Sequence, residues 1–127
     1  MDKKTILVVD DEEIICDLLS GILNKLGYNI IIAGSGQQAV DLFSRKHSKI
    51  DLAIVDLFMP EMDGRETMAQ MKSIDPNVII LLSSGQHETV TATISPDAEA
   101  DGFLPKPYRA GQLAQAIEKA FENRVVP

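Results

Sequence analysis

The residues of this chain that could do chemistry stand at the ends of apolar runs. Asp10 and Asp11 follow Thr5-Ile6-Leu7-Val8-Val9, and Asp56 follows Asp51–Val55. Ser83 and Ser84 follow Val78–Leu82, and Pro105-Lys106-Pro107 follows Gly102-Phe103-Leu104. Three carboxylates brought together repel one another and cannot all stay ionised cheaply. A bound cation removes that conflict, and an oxygen-only donor set without His or Cys favours a hard ion such as Mg2+ over zinc. Lys106 adds a compact positive charge suited to an anion, and the Ser84 hydroxyl can donate a hydrogen bond. Carboxylates, a hard metal, a lysine and a hydroxyl together suit a phosphoryl group. A metal beside an aspartate screens its charge and lets it attack phosphorus, forming an acyl phosphate.

For these groups to meet, the elements between them must bring four chain segments to one edge. Thr5–Val9, Asn29–Ala33, Asp51–Val55, Val78–Leu82 and Gly102–Leu104 read as short strands, the first buried on both faces. Ile15, Leu18, Leu19, Ile22 and Leu26 recur at helical spacing before a Gly27 stop. Cys16 falls off that stripe and reads as an inert packed thiol. Helices are also expected over Gln37–Arg45, with Ala39, Val40 and Phe43 on one face, and around Met68, Met71 and Ile74. A last helix carries Leu113, Ala116, Ile117, Ala120 and Phe121. Thr89–Glu99, with its three Thr and Pro96, is a poor fourth helix, expected to be short or irregular. Strands alternating with helices imply βαβ units: an α/β, doubly wound, five-stranded parallel sheet with helices on both faces. In such sheets ligands bind beyond the carboxyl ends of the strands, which is where the acids, serines and lysine stand.

Composition narrows the possibilities further. The 127 residues suit a single domain with a core of its own. With 12 Lys and Arg against 19 Asp and Glu, the net charge of −7 argues against direct nucleic-acid binding, which needs a basic surface. One cysteine excludes a disulfide framework or a thiolate zinc site within the chain. The apolar run at Ile6–Val9 is too short for a signal peptide or membrane span, so a cytoplasmic protein with no membrane partner is expected. His47 and His87 have no ligand partner at useful spacing and read as surface residues; Met59, Met62, Met68 and Met71 read as core and loop filler.

Five motifs, taken together and in order, resemble a bacterial response-regulator receiver domain. They are Val9-Asp10-Asp11-Glu12; Ile54-Val55-Asp56-Leu57-Phe58-Met59-Pro60; Met62-Asp63-Gly64; Leu82-Ser83-Ser84-Gly85; and Leu104-Pro105-Lys106-Pro107-Tyr108. The resemblance covers nearly the whole chain and implies strand order 2-1-3-4-5. It implies a signalling phosphoacceptor, not an enzyme in the ordinary sense, in which Asp56 takes a phosphoryl group from a sensor histidine kinase or phosphotransfer protein and switches a surface read by a downstream protein target. It further implies Mg2+ bound by Asp11, Asp56 and the Phe58 carbonyl directly and by Asp10 through water. Ser84 and Lys106 would contact phosphoryl oxygens, and Phe103 would be the aromatic that changes rotamer. Residues 1–127 would be one receiver domain without an output domain, either free-standing or cut from a larger regulator or hybrid kinase.

The chain departs from the family pattern at Phe58, two residues after Asp56, where many members carry a polar side chain. Phe58 and Gln86, two after Ser84, would flank the path of the hydrolytic water. Three other readings compete. A degenerate receiver would bind partners without phosphorylation, yet the acidic set is complete. An aspartate-nucleophile phosphatase would need a second acid where Phe58 stands. Gly34-Ser35-Gly36-Gln37-Gln38-Ala39 fits a dinucleotide fingerprint, but that reading leaves Asp10, Asp11, Ser84 and Lys106 without roles.

Overall fold

A computed structural model of the chain describes residues 3–85 and 100–125. Its strands are β1 (Thr5–Val9), β2 (Asn29–Ala33), β3 (Leu52–Asp56), β4 (Ile79–Ser84) and β5 (Gly102–Pro105). All pair in parallel in the order β2-β1-β3-β4-β5, the doubly wound sheet expected. The described helices are α1 (Glu13–Lys25), α2 (Gly36–Lys46), α3 (Gly64–Ile74) and α4 (Ala110–Val125), with a 3-10 turn at His47–Lys49. The expected irregular helix at Thr89–Glu99, together with Gln86 and His87, lies outside the described residues.

The period of two along each strand divides the core into two layers. Ile6, Val8, Leu52, Ile54, Ile79, Leu81 and Leu104 face α1 and α4, where they meet Leu19, Leu23, Leu113 and Ile117. Leu7, Val9, Ala53, Val55, Ile80 and Leu82 face α2 and α3, against Ala39, Phe43, Met68 and Met71. Burial on both faces explains why the central strands are unbroken apolar runs.

Two sequence expectations are corrected. The buried stripe of α1 is Cys16, Leu19 and Leu23, whereas Leu18 is 44% exposed and Leu26 also faces outward. Both sets of residues share helical spacing, and only the position of the sheet decides which faces inward. Cys16 is thus part of the core, its thiol directed at the Asp10 carbonyl oxygen 3.4 Å away. The second correction is register: β3 begins at Leu52 and includes Asp56, and β4 runs through Ser84. Asp51 instead ties the opposite edge, its Oδ2 accepting the Thr5 N–H at 2.8 Å. The acidic and hydroxyl groups therefore belong to the strand ends themselves and inherit their rigidity.

Helix starts follow local chemistry. Ser35 and Asp63 cap α2 and α3, accepting from the N–H groups of Gln38 (3.1 Å) and Glu66 (2.9 Å). Gly64 opens α3 hard against the end of β3: a Cβ there would stand 2.5 Å from the Asp56 carbonyl oxygen and 2.7 Å from Leu57 Cα. Gly21, inside α1, has open space where a Cβ would go. Opposite outcomes follow for the same substitution. Gly21→Ala should stabilise the fold by about 0.5–1 kcal/mol, through reduced backbone entropy of the unfolded chain. Gly64→Ala should destabilise it by about 1–3 kcal/mol, because backbone must move. Urea denaturation of the two variants checks both signs.

Candidate functional site

At the carboxyl edge of the sheet, Asp10 and Asp56 are buried to 2% and 5% exposure, while Asp11 is exposed. One carboxylate oxygen from each of Asp10, Asp11 and Asp56 lies within 4.8 Å of the others. Backbone bonds set the spacing. The Asp10 N–H donates to the Ala33 carbonyl oxygen at 3.1 Å, and the Leu57 N–H to that of Ser83 at 2.7 Å. The Lys106 N–H donates to the Ser84 carbonyl oxygen at 2.9 Å. Each strand end is thus tied to its neighbour one step beyond the ladder.

The Lys106 ammonium stands between the two buried acids. Its Nζ is 2.9 Å from Asp10 Oδ2, 3.4 Å from Asp56 Oδ1 and 3.9 Å from Glu12 Oε1. The other Asp10 oxygen accepts the Glu12 N–H at 2.9 Å, fixing the turn into α1. Burial raises the Asp56 carboxyl to about 6, and the Asp10 charge adds to the effect; the Lys106 charge and hydrogen bond oppose it without cancelling it. Burial works against the charge of Lys106, but the hydrogen bond it donates to Asp10 and the carboxylates of Asp56 and Asp10 outweigh it and hold the ammonium charged.

The donor set suits a hard divalent ion. Oxygens on opposite sides of one such ion are at most about 4–5 Å apart, as the three acids are here. The raised Asp56 carboxyl reflects chiefly its burial, and the Asp10 and Asp11 charges beside it add to the rise.

Ser84 is buried at the end of β4, and Phe103 is half-buried on β5, packed against the α2–α3 layer. Phe58 is 52% exposed just beyond Asp56 and carries no hydrogen-bonding group. Gln86, the other residue expected near the water path, lies outside the described residues. The geometry also pairs two residues, Ser83 and Tyr108, to which the sequence assigned no role of their own. The Tyr108 hydroxyl is hydrogen-bonded to the buried Ser83 hydroxyl. Burial pushes the Tyr108 phenol up to about 12. A serine closing an apolar run was the only signal of this pair.

The glycine-rich segment has another use. The Gly34 N–H donates to Gln38 Oε1 at 2.6 Å, and Ser35 occupies the Gln38 N–H, so donors that would cradle a pyrophosphate are engaged. A Cβ on Gly36 would stand 2.3 Å from Thr67 Oγ1, so this glycine permits close contact between α2 and α3. His47 packs beside the Phe43 ring, with centroids 5.9 Å apart.

Comparison with known proteins converges on one family. The family model described as response regulator receiver domain matches residues 6–118. The transcriptional regulatory protein ZraR of Escherichia coli is 34% identical over 122 residues, covering 96% of this chain and 27% of ZraR. The sensor kinase CckA of Brucella abortus is 30% identical over 122 residues, covering 94% of this chain and 13% of that kinase. The chain thus spans less than a third of either relative's length. A receiver domain protein from Clostridium thermocellum superposes with a TM-score of 0.86 at 27% identity, covering 95% of this chain and 96% of that one. CheY in a CheX–CheY complex with beryllofluoride and magnesium from Borrelia burgdorferi gives 0.84 at 27% identity, over 93% of this chain and 89% of that one.

The raised Asp56 carboxyl carries a stability consequence with a definite sign. Between about pH 4 and 6 the folded protein holds a proton that the unfolded chain releases, so this group's contribution to stability falls as pH rises through that window. Above it, the folded state carries the full penalty. Without divalent ions, Asp56→Asn should therefore be more stable than wild type at pH 7.5 by about 1–3 kcal/mol, with the gap closing toward pH 4. Urea unfolding at several pH values measures it; a pH-independent gap contradicts the assignment.

Proposed function

This chain belongs to the response regulator receiver domain family, and from that premise we propose that it is a phosphoacceptor of two-component signalling with Asp56 as the acceptor. The observation that supports the reading best is the placement of the Asp56 carboxylate: rigid at the end of β3, 3.4 Å from the Lys106 ammonium and grouped with Asp10 and Asp11.

An Asp56 oxygen attacks the phosphorus of a phosphohistidine on a sensor kinase or phosphotransfer protein. The new P–O bond forms as the P–N bond breaks, and the imidazole nitrogen keeps the bonding pair. Lys106 reorients from the carboxylates to a phosphoryl oxygen, and the Ser84 hydroxyl donates to another. A divalent ion such as Mg2+, held by Asp10, Asp11, Asp56 and the Phe58 carbonyl, would supply charge screening at the acids and at the phosphoryl oxygens. The chain assists its own phosphorylation and dephosphorylation but turns over no separate substrate.

Phosphorylation adds charge and acceptor oxygens beside Lys106 and Ser84. Movement of Ser84 and Phe103 then remodels a surface read by a downstream protein. Residues 1–127 act as one receiver unit, and cytoplasmic placement fits this chemistry. Among the described residues no helix is long and apolar enough to cross a membrane. A net charge of −7 suits protein partners over nucleic acid. Phe58 and Gln86 set the lifetime of the acyl phosphate, because in-line hydrolysis needs an oriented water and Phe58 cannot hold one.

Acetyl phosphate with Mg2+ should give an acid-stable, base-labile adduct of one phosphoryl group by mass spectrometry, lost in Asp56→Asn. A full-strength adduct in that variant overturns the acceptor assignment. Mg2+ should raise the melting temperature of wild type, and Asp11→Ala should remove most of that rise. Phe58→Asn, which can orient the water, should speed decay of the phosphorylated protein several-fold, roughly 1 kcal/mol in barrier; equal or slower decay removes Phe58 from that role.

A further inference from the structure

Ser83 occupies a position where an apolar residue would suit the fold. It is fully buried, and its neighbours at the same face of β4, Ile79 and Leu81, belong to the α1–α4 layer. Its hydroxyl would be an unpaired polar group there but for the hydroxyl of Tyr108, whose ring lies in the same layer. Replacing both partners of such a pair by apolar groups of similar shape costs a fold little. What an apolar pair cannot supply is direction: a hydrogen bond fixes where one chain segment sits on another.

The segments concerned carry the phosphoryl-handling groups. The Ser83 carbonyl oxygen holds the Leu57 N–H, next to Asp56, at 2.7 Å. The adjoining Ser84 carbonyl oxygen holds the Lys106 N–H at 2.9 Å. Tyr108, two residues beyond Lys106, returns to the Ser83 side chain. Lys106 thus carries one attachment of the β5–α4 connection to the end of β4, and the second follows two residues later at Tyr108. Its ammonium must reach Asp10 and Asp56 from that connection, at 2.9 and 3.4 Å.

We infer that the Tyr108–Ser83 hydroxyl pair is a positioning device that locks the β5–α4 connection to β4 and so delivers the Lys106 ammonium to the phosphoryl oxygens. Tyr108 touches no reacting atom and acts through Lys106. The elevated Tyr108 phenol, which keeps the hydroxyl protonated and able to donate across the ordinary pH range, is consistent with this role. The inference rests on the phosphoacceptor reading.

The test is the rate of Asp56 phosphorylation by acetyl phosphate with Mg2+, measured across donor concentration in a two-by-two set: Tyr108→Phe alone, Lys106→Ala alone, and both together. Tyr108→Phe keeps the ring and should lower the saturating rate about three- to ten-fold, as expected for modest misplacement of a charge-stabilising group, with the half-saturating donor concentration little changed. Ser83→Ala, a second route to the same loss, should match it, and Ser83→Ala with Tyr108→Phe should lose no more than either alone. In the Lys106→Ala background Tyr108→Phe should cost nothing further. A wild-type rate in Tyr108→Phe and Ser83→Ala, or an equal fractional loss with and without Lys106, overturns the positioning role. Wild type that forms no adduct overturns the phosphoacceptor reading itself, and the positioning role with it.

Discussion

Two buried carboxylates held around one ammonium set the terms for the rest of this structure. Asp10 and Asp56 would be costly to bury alone, since a charge removed from water needs a partner of opposite sign. Lys106 supplies that partner from 96 residues beyond Asp10 in the chain, so the fold closes its charge balance only once β1, β3 and the β5–α4 connection are all in place. One ammonium facing two acids, with Asp11 at the rim, leaves excess negative charge. Burial is the main reason the Asp56 carboxyl is raised, with the Asp10 and Asp11 charges adding to it, and three acids facing one ammonium make the edge receptive to a hard cation.

Holding groups of like charge together requires a stiff platform. Each acid or hydroxyl lies within two residues of a strand's end, and β1, β3 and β5 are each pinned to a neighbour by one further backbone bond just beyond that end. Beneath them, both faces of β1, β3 and β4 are sealed by helices. Gly64 lets α3 start directly under Asp56, where any side chain would meet the β3 backbone. The stability provided by the two apolar layers offsets the electrostatic cost concentrated at one edge.

The strands and the convergence of Asp10, Asp11, Asp56, Ser84 and Lys106 were legible in the sequence, because β-branched runs and terminal polar residues carry local signals. The phase of α1 was not. Leu18 and Leu26 are as apolar as Leu19 and Leu23, and the 3.6-residue period admits both sets until the sheet selects one. Nor could spacing show that Asp56 belongs to β3, since a strand's last rung is decided by the neighbour it pairs with. The Gly34–Gly36 turn imitated a phosphate cradle because the sequence shows glycines but not the Gln38 and Ser35 side chains that engage the local donors. The Ser83–Tyr108 contact was hidden for a related reason: a serine closing an apolar run gives no hint that its partner lies beyond Lys106.

The resting charge arrangement also indicates which parts must respond in the proposed phosphorylated state. A phosphoryl group adds roughly −1.5 to −2 charges to an edge already short of positive charge. Lys106 cannot serve Asp10, Asp56 and the new oxygens in its resting geometry, so it must turn toward the strongest acceptor. The β3 end is held by the sheet and by Gly64, and the Asp10 turn by Glu12. The elements left to adjust are the end of β4 and the β5–α4 connection, which carry Ser84 and Lys106. Because the Ser83 hydroxyl holds Tyr108 and the Ser84 carbonyl oxygen holds the Lys106 N–H, a shift at one is passed to the other, and Phe103 stands on the neighbouring strand. In that proposed state the charge excess at Asp56 would be passed on through the segments that carry Ser84 and Lys106.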